Sequence, residues 1–539
     1  MRLFLCFFIL ITFWAAIYVP ALGSLELRLE EPRRVLPGRT MLQTGEWIVP
    51  RSGGEVYNRK PPLVNWVSAA AIKLTGRMDE WTVRTPAVLM VLAMGITMLL
   101  SLRGWLGNEQ ALATALVTLT SIGFIDKGRI IEIEALYISL YGIALAAWLG
   151  LRWRGHDLWA WMVSGLVLGL GFLAKGPLHV WYFYALVIGV LAAEKRLRDL
   201  LNWRHFAGFA VFFGTFMPWA AENARRNPLK DSAAVWQQQI THRLGFAEFD
   251  FGNYLLQIPE GLKGFLPWAV LLPLCWRGDV TAIWRGLGRH GQWMLGLRKS
   301  LPWAFLVIAV LPSSRPRFML PLNAAAAILV TDALFHMSAE WLQTWGRRWR
   351  TTMAVLGSLA LVLLMFGPTE MLGHLSDHQF EATGWVCWLL AGWATVSWLW
   401  RKQTPDTALT FAFTTGGMLA VVAGAVMFAL VPRLLPREKL RPFASGIVAR
   451  TGPADPIMLY KVEEHQWPFY LGMRCFEVAD LKESPAGVAF PWIMTPKKVW
   501  ADKGQRKVLG RQFGAVLSET PLQDPVDHSD YVLVNFKKG

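Results

Sequence analysis

One polar stretch of this chain, residues 25–66, holds the residue types that proton transfer and phosphate chemistry use. Glu30 and Glu31 are adjacent carboxylates, Arg33 follows them, and Lys60 opens a Lys-Pro-Pro turn. A carboxylate can take a proton from a hydroxyl group, and a positioned Lys or Arg stabilises the charge that develops on a leaving phosphate. These residue types therefore indicate chemistry on a phosphate-bearing substrate.

The composition indicates that this stretch belongs to a membrane protein. Of the 539 residues, 54% are hydrophobic, and the mean hydropathy is +0.34, which is rare for a soluble chain of this length. Unpaired charge is not tolerated in hydrocarbon, so the polar stretch must leave the bilayer or line a wet cavity. The net charge is +16, but Lys and Arg collect in the cytoplasmic loops of membrane proteins, so we expect no nucleic-acid partner.

Hydrophobic runs predict a polytopic α-helical membrane protein with about 13 transmembrane helices, since a span needs roughly 17–25 mostly apolar residues. The candidate spans are 3–21, 85–102, 109–125, 132–151, 158–174, 178–193, 205–221, 262–276, 301–312, 318–336, 351–367, 384–400 and 408–431. With the N-terminus in the cytoplasm, the Lys and Arg clusters fall mainly inside, and the outer loop 368–383 has none. This distribution follows the positive-inside rule.

The composition changes after the last predicted span. Short apolar pieces such as Ile457–Tyr460 and Tyr531–Val534 alternate with polar stretches, which is typical of strands. We therefore predict a membrane domain over 1–431, with a first outer loop 22–84 and a further outer loop 222–261. An odd number of spans places the second domain, a small periplasmic α/β domain over 432–539, on the outer face.

Further charged residues gather at the predicted outer ends of the spans. They are Arg129, Glu134, Lys175, Arg243, Arg315 and Arg317. A single charged side chain at a helix end often only extends its charged group to the membrane–water interface. The prediction of a binding pocket therefore depends on all of these residues together. A carboxylate such as Glu134 is expensive at membrane depth unless it is paired or functional. We therefore predict a cationic pocket with carboxylates at the outer surface, suited to group transfer from a lipid-linked phosphate.

The ordered motifs resemble the lipid-phosphate-dependent membrane glycosyltransferases of the GT-C fold, of the glycosyltransferase family 39/83 type, which include aminoarabinose transferases and protein O-mannosyltransferases. In chain order the matching segments are Glu30-Glu31-Pro32-Arg33, Met41 to Pro50, Lys60-Pro61-Pro62-Leu63, Arg84-Thr85-Pro86, Arg129 with Glu134, Leu173-Ala174-Lys175-Gly176-Pro177, and Arg317 to Leu322. The match covers about residues 25–325. Glu30 and Glu134 stand where the family usually has Asp.

The resemblance implies an enzyme that moves a sugar from a polyprenyl-phosphate donor to a lipid A-like lipid, a glycan or a protein. It also implies a place in the bacterial inner membrane, with the reaction on the outer face. By the resemblance Glu30 and Glu134 are catalytic. The residues expected to bind substrate are Glu31, Arg33, Lys60, Arg129, Lys175, Arg243, Arg315 and Arg317.

The resemblance also bears on metals. Aminoarabinose-transferase relatives have a metal-binding Glu before the Lys-Pro turn, where this chain has Arg59. We therefore expect no required cofactor; a divalent cation is compatible with the chemistry, but the sequence offers no clear site for it.

Two other function classes fit the same polar residues. A transporter or flippase could use a cationic pocket to move a lipid phosphate without chemistry, although the chain shows no internal repeat of the kind common in transporters. A non-catalytic lipid-binding protein on a related fold is the second alternative, because both family Asp positions are changed to Glu. A Glu30→Gln substitution separates them, since only an enzyme should lose turnover with its fold intact.

Overall fold

The computed structural model describes residues 1–28, 30–57, 60–227, 251–310, 315–366, 406–427, 431, 435, 438–462, 466–485 and 487–537. The contacts between residues divide the chain into two units. The helical unit comprises Met1–Leu22, Ala87–Ala220 and Ala233–Arg433, and the mixed unit comprises Gly23–Pro86, Ala221–Ser232 and Leu434–Gly539.

The helical unit follows the hydrophobic runs of the sequence. Its α-helices are Leu3–Tyr18, Glu80–Leu106, Asn108–Leu119, Ile122–Gly128, Ile133–Trp153, Asp157–Lys175, Leu178–Ala193, Trp203–Arg226, Phe251–Lys263, Gly278–Gly286, Gly288–Val310, Asn323–Phe335, Ala339–Phe366 and Ala408–Ala425, and its 3₁₀ helices are Leu197–Leu201, Trp268–Trp276 and Pro316–Leu322. The first two turns of Glu80–Leu106 and the last turns of Trp203–Arg226 belong to the mixed unit.

Several of these helices can span a bilayer. Among the described residues, five are long and apolar enough, and a bent pair raises the number to six. The five are Glu80–Leu106, Ile133–Trp153, Asp157–Lys175, Pro316–Phe335 and Ala408–Ala425. The prediction of a multi-pass helical membrane protein is therefore confirmed in its coarse form, whereas the count of thirteen is not confirmed. The predicted span 384–400 lies outside the described residues.

Two predicted spans are interrupted. Within 109–125 the helix ends at Leu119, and the next helix begins at Ile122 at an angle of 64°, because the Ile122 and Gly123 amides donate to the carbonyls of Leu266 and Gly264. Within 262–276 the α-helix ends at Lys263, and Trp268–Trp276 is a 3₁₀ helix. Pro273 inside that segment cannot donate a helical hydrogen bond. Hydrophobicity alone does not reveal either interruption.

A five-stranded sheet organises the C-terminal part of the mixed unit. Its strands are β3 (Ile457–Tyr460), β4 (Cys475–Val478), β5 (Trp492–Pro496), β6 (Val516–Gln523) and β7 (Asp530–Phe536), and the helices beside them are Leu440–Thr451, Trp467–Arg474, Leu481–Glu483, Lys497–Ala501 and Lys503–Phe513. The strand order is β4-β3-β5-β7-β6, with β3 parallel to β4 and β5 and the other pairs antiparallel. The strands predicted at 457–460 and 531–534 are thus confirmed.

The burial of β3, an interior strand of the sheet, explains why its sequence is an apolar run. Ile457 and Leu459 pack in one buried cluster, and Met458 and Tyr460 pack in a second. Side chains alternate between the two faces of a strand, so β3 is covered on both faces. A strand of this kind reads as a continuous hydrophobic stretch.

The stretch predicted as the first outer loop has regular structure of its own. It contains the helices Pro32–Thr44 and Leu63–Thr75 and a hairpin of β1 (Arg51–Ser52) and β2 (Glu55–Val56). The helix Pro32–Thr44, called the loop helix below, begins with proline at a first-turn position, where its missing N–H costs nothing. These elements belong to the same unit as the C-terminal sheet, although the predicted domain boundary at residue 431 assigned them to different domains.

A buried ion pair joins the loop helix to that sheet. The Arg39 guanidinium, which is fully buried, lies 2.9 Å from the carboxylate of Glu477 on β4 and donates a hydrogen bond to the Pro468 carbonyl. The Gln43 amide donates to the carbonyls of Met473 and Cys475. Because an unpaired buried charge is very unfavourable, the loop helix and the sheet stabilise each other.

The hairpin turn makes a further close approach, which predicts the effect of Gly54→Ala. Gly54 has a φ of +80°, and a Cβ added there would lie 2.8 Å from the carbonyl carbon of Val478. Gly45 ends the loop helix at a φ of +73° with open space around it. We expect Gly45→Ala to cost roughly 1–2 kcal/mol for its backbone conformation alone, and Gly54→Ala to cost more because of the clash. Equal shifts of the thermal unfolding midpoint in detergent would contradict the close approach.

Candidate active site

Glu30 is held by two arginines of the loop helix. Its carboxylate lies 2.9 Å from the Arg33 guanidinium and 2.6 Å from that of Arg34. The spacing of three and four residues brings these side chains to one face at a helix start. The Glu30 side chain remains 36% exposed, and that of Arg33 is 41% exposed. Glu30 is therefore oriented by cations and still accessible to a ligand.

Its neighbour Glu31 is buried. Both of its carboxylate oxygens accept hydrogen bonds of 2.8 Å from Arg84, and one also accepts from the Arg28 amide. Arg84 in turn donates to the carbonyls of Leu25 and Glu26. This bidentate pair fixes the chain on both sides of Glu30, so the arginine of the Arg84-Thr85-Pro86 motif acquires a clear positioning role.

The rest of the first-loop motifs build the support around this carboxylate. Arg34, which is buried, donates to the hydroxyl of Tyr57, and the Asn65 amide donates to the Arg34 carbonyl at 2.6 Å. Lys60 is half-buried and precedes the two prolines that lead into the helix Leu63–Thr75. Since proline fixes φ, the segment after Lys60 is locally rigid.

The shape of the segment from Met41 to Pro50 follows from its hydrogen bonds. Gly45 adopts the left-handed conformation that ends the loop helix, a position that favours glycine. The Glu46 carboxylate then accepts hydrogen bonds from the amides of Ile48 and Val49, and the Trp66 indole donates to the Trp47 carbonyl. These residues shape the loop and do not themselves form a reactive group.

A second cluster lies in the helical unit and centres on Glu134. Its carboxylate is 3.0 Å from the Lys175 ammonium and 3.2 Å from the Arg317 guanidinium. Glu134 and Lys175 are almost fully buried, whereas the Arg317 side chain is 32% exposed. The Lys175 ammonium also lies over the rings of Tyr137 and Phe318, 5.0 and 4.5 Å from their centroids. The cluster therefore holds one carboxylate and two cations, one of them accessible.

Other charged residues of the helical unit lie outside the Glu134 cluster. The Arg129 guanidinium donates to the Pro20 carbonyl. Lys127 lies 3.4 Å from Glu132, which is buried beside the start of the helix Ile133–Trp153. Arg315 is exposed and precedes the 3₁₀ helix Pro316–Leu322. The predicted binding residue Arg243 lies outside the described residues.

Two polar residues near the motifs have structural contacts. The ring nitrogens of His179 face the backbone carbonyls of Gly176 and Leu168. Asp79 accepts a hydrogen bond from the Thr82 amide and one from Arg77. Burial opposes ionisation of Asp79, but these donors hold the pKa of its carboxyl below the usual value. Asp79 thus caps the start of a helix.

An apolar cavity lies within the helical unit. Its volume is about 260 Å³. Its lining is almost entirely hydrophobic and includes Leu262, Phe265, Leu301, Phe305, Met319 and Leu322. Met319 and Leu322 belong to the same 3₁₀ helix as Arg317. A cationic group and an apolar cavity on one short helix can accept a ligand with a charged head and a hydrocarbon tail.

The structure thus brings most of the predicted residues into two clusters, whereas Arg129 contacts the Pro20 carbonyl and Arg315 is exposed. Glu30 and Arg33 are in contact in the mixed unit, where Glu31 and Lys60 also lie, and Glu134, Lys175 and Arg317 are in contact in the helical unit. Sequence reasoning missed Arg34 and Arg84 as partners of the two acids and Tyr57 as the partner of Arg34. The position of Arg34 four residues after Glu30 was an available signal, while Tyr57 pairs through tertiary structure and leaves none.

Comparisons with known proteins show which families and relatives this chain is similar to. Residues 59–221 match the family described as dolichyl-phosphate-mannose-protein mannosyltransferase. The undecaprenyl phosphate-α-4-amino-4-deoxy-L-arabinose arabinosyl transferase of Edwardsiella ictaluri is 28% identical over 66% of this chain and 64% of its own length. The enzyme of the same name from Enterobacter is 25% identical over 72% of each chain.

A solved structure extends the likeness to the fold. The crystal structure of ArnT from Cupriavidus metallidurans bound to undecaprenyl phosphate has a TM-score of 0.68 with this chain at 19% identity, covering 99% of this chain and 98% of ArnT. Its apo structure has a TM-score of 0.64 at 18% identity, covering 98% and 97%. The similarity extends through both units and includes the C-terminal sheet.

Proposed function

We propose that this chain, which belongs to the GT-C membrane glycosyltransferases that use lipid-phosphate sugar donors, transfers a sugar from undecaprenyl phosphate to a lipid A-like acceptor. The predicted family and the predicted glycosyltransferase class are both confirmed by the comparisons. The names of the relatives suggest 4-amino-4-deoxy-L-arabinose as the first sugar to test. The identity of sugar and acceptor is part of the proposal.

The cluster of Glu134, Lys175 and Arg317 is the observation that carries the donor assignment. Arg317 is the accessible cation of the cluster, and a guanidinium binds phosphate oxygens in a bidentate manner. Met319, two residues further on, lines the apolar cavity, and two residues of a 3₁₀ helix span only about 4 Å. A phosphate at Arg317 would therefore place its polyprenyl chain next to a cavity of matching polarity.

The reaction needs a nucleophile, an electrophilic carbon and a leaving group. An acceptor oxygen forms a bond to the anomeric carbon of the sugar, and the bond from that carbon to the lipid phosphate oxygen breaks. The bonding electrons leave with the lipid phosphate, whose charge Arg317 and Lys175 would stabilise. If the acceptor is a hydroxyl group, Glu30 is the predicted base that takes its proton. An acceptor phosphate is already anionic and needs no base.

The remaining site residues keep their predicted roles within this proposal. Glu31 acts through Arg84 as a positioning residue, and Lys60 is the expected second contact to the donor phosphate. The transfer step itself is proposed to require no cofactor. The proposed setting is the bacterial inner membrane, with the N-terminus in the cytoplasm, the C-terminal sheet in the periplasm and membrane lipids as the surrounding partners.

The test is sugar transfer by the purified chain in nanodiscs. Wild-type protein receives undecaprenyl-phosphate aminoarabinose, a panel of other undecaprenyl-phosphate sugars, and lipid A. Loss of one charge-assisted hydrogen bond to phosphate is worth about 1.5–3 kcal/mol, so we expect Arg317→Gln and Lys60→Ala to raise the KM for the donor about 10- to 100-fold. The exposed Arg103 provides a matched control, and Arg103→Gln should leave the KM unchanged.

Two outcomes contradict the proposal. Donor binding without product from any acceptor would favour the lipid-binding alternative, and movement of the donor across proteoliposomes without product would favour a flippase. An unchanged donor KM in Arg317→Gln would instead remove the proposed phosphate contact while leaving the enzyme class intact.

A further inference from the structure

A second group of ionisable side chains lies at the opposite end of the span that carries Arg317. Arg317 and Asp332 belong to the same span, Pro316–Phe335, and fifteen residues separate them. With about 2.0 Å per residue in its 3₁₀ part and about 1.5 Å in its α-helical part, the separation is roughly 20–25 Å. At this distance Asp332 cannot contact a donor phosphate that is bound at Arg317.

Asp332 is fully buried and is surrounded by histidines. Its carboxylate lies 2.8 Å from Nε2 of His290 and 3.3 Å from Nδ1 of His336. His336 follows Asp332 by four residues, which puts both on one helix face, and His290 comes from the first turn of Gly288–Val310. The three ligand atoms lie within 4.8 Å of one another.

The charge balance around Asp332 differs from that of other buried acids in the described part of the helical unit. Glu132 is paired with Lys127, Glu134 with Lys175, and Asp406 with Arg350. The ion-pair partners of Asp332 are the two histidines, which carry charge only when protonated. A buried carboxylate needs a compensating positive charge, and a metal ion bound by neutral imidazoles supplies one.

We propose that His290, Asp332 and His336 bind a divalent transition-metal ion of the zinc type. Imidazole and carboxylate are the ligands that zinc takes at about 2.0–2.2 Å, and in a tetrahedral site such atoms lie about 3.3 Å apart. The two imidazole nitrogens lie 2.8 and 3.3 Å from different oxygens of the Asp332 carboxylate, and one ligand atom from each residue lies within 4.8 Å of the others, so small side-chain rotations would bring all three onto one ion. Magnesium and calcium prefer all-oxygen sites, so two histidines exclude them as the preferred ion.

The surroundings of Asp332 provide the support that a metal ligand needs. The Trp284 indole donates to one carboxylate oxygen and the Gln110 amide to the other, each at 2.7 Å. Such outer contacts orient ligating carboxylates and tune metal affinity. His290 and His336 are 18% and 24% exposed, which leaves a path for the ion and for a water molecule at the fourth position.

The inferred role of the ion is to tie helix ends together. Four helices meet at Asp332. Asn323–Phe335 carries it, Gly288–Val310 supplies the ligand His290, and the two hydrogen-bond donors come from Asn108–Leu119 and Gly278–Gly286. Nδ1 of His336 also donates a hydrogen bond to the Asp332 carbonyl at 2.8 Å; zinc binding would displace that proton, so the last turn of the span is part of the arrangement. The site is independent of the transfer reaction, and its failure would leave the proposed function untouched.

The experiment measures zinc on the full-length chain, purified with a histidine-free tag, treated with chelator and then titrated with Zn²⁺. The variants are His290→Gln and His336→Asn, whose amide nitrogens take the positions of Nε2 and Nδ1 and so can keep the hydrogen bonds to Asp332 while removing the imidazole ligands. We expect one equivalent of zinc and a raised unfolding midpoint with wild type, and at least about 100-fold weaker binding in each variant.

The control is the exposed His528 of the mixed unit, whose φ of +63° suits asparagine. His528→Asn should bind zinc as wild type does. Trp284→Phe removes one support of Asp332 and should weaken zinc binding about 10- to 100-fold. Less than one tenth of an equivalent on wild type, or equal binding by wild type and both histidine variants, would overturn the proposal.

Discussion

Glu30→Gln is expected to reduce kcat for sugar transfer to an acceptor hydroxyl by about 100- to 10,000-fold, the contribution of a positioned general base. The amide keeps the size of the side chain and one hydrogen-bond acceptor for Arg33 or Arg34, but it cannot take a proton. Glu30 itself is 36% exposed, but the substitution removes the charged partner of Arg34, whose side chain is only 8% exposed. We therefore expect a moderate fall of the unfolding midpoint as well as the loss of kcat, and kcat is compared at a temperature at which both proteins are folded.

The matched control is Glu55→Gln. Glu55 is an exposed acid on β2 of the same unit, so its substitution makes the same chemical change away from the arginine pair. Glu30→Asp keeps the base and restores the residue type that the family usually has, and we expect it to keep most of the activity. If Glu30→Gln keeps more than half of the wild-type kcat, Glu30 is not the base.

Breaking the Glu31–Arg84 pair is expected to have the largest effect on stability. The two side chains are 1% and 6% exposed, and removal of one partner of a buried pair costs about 3–5 kcal/mol because the other charge stays uncompensated. We expect Arg84→Gln to lower the unfolding midpoint sharply. Donor turnover should fall with it, since the chain on both sides of Glu30 loses its anchor.

A double substitution and an exposed pair provide the comparison. Glu31→Gln with Arg84→Gln leaves two neutral amides that can bond each other, so we expect it to recover part of the lost stability. Arg51 and Glu483 form a pair that is 28% and 49% exposed, and Arg51→Gln should cost less than about 1 kcal/mol. Similar midpoints for Arg84→Gln and Arg51→Gln would show that burial does not govern the strength of these pairs.

Hydrophobicity predicted the positions of many helices because membrane spans must be long and apolar. It also predicted β3, whose residues are covered on both faces, and β7. It could not predict the interruptions near Thr120 and Pro267, because these depend on backbone hydrogen bonds between segments more than a hundred residues apart. The helices Pro32–Thr44 and Leu63–Thr75 were not foreseen, since both lie in a stretch whose charges suggested a loop.

The motifs named most members of the two clusters but not their partners. Glu134 contacts Lys175 and Arg317, while its nearest cation in the sequence, Arg129, donates to the Pro20 carbonyl. The packing of the helices determines which charged side chains at span ends come into contact. These contacts cannot be read from the residues close to each other in the sequence. The three candidate metal ligands escaped notice for the same reason, since 42 residues separate His290 from Asp332.

The pairing of Arg39 with Glu477 has a consequence for biosynthesis. The two residues are 438 positions apart, and a ribosome that adds about 5–20 residues per second needs roughly 20–90 s to cover that distance. During this interval the nascent loop helix carries a guanidinium whose partner does not yet exist. The loop helix can therefore form this buried pair only after β4 has been synthesised, late in translation of the chain.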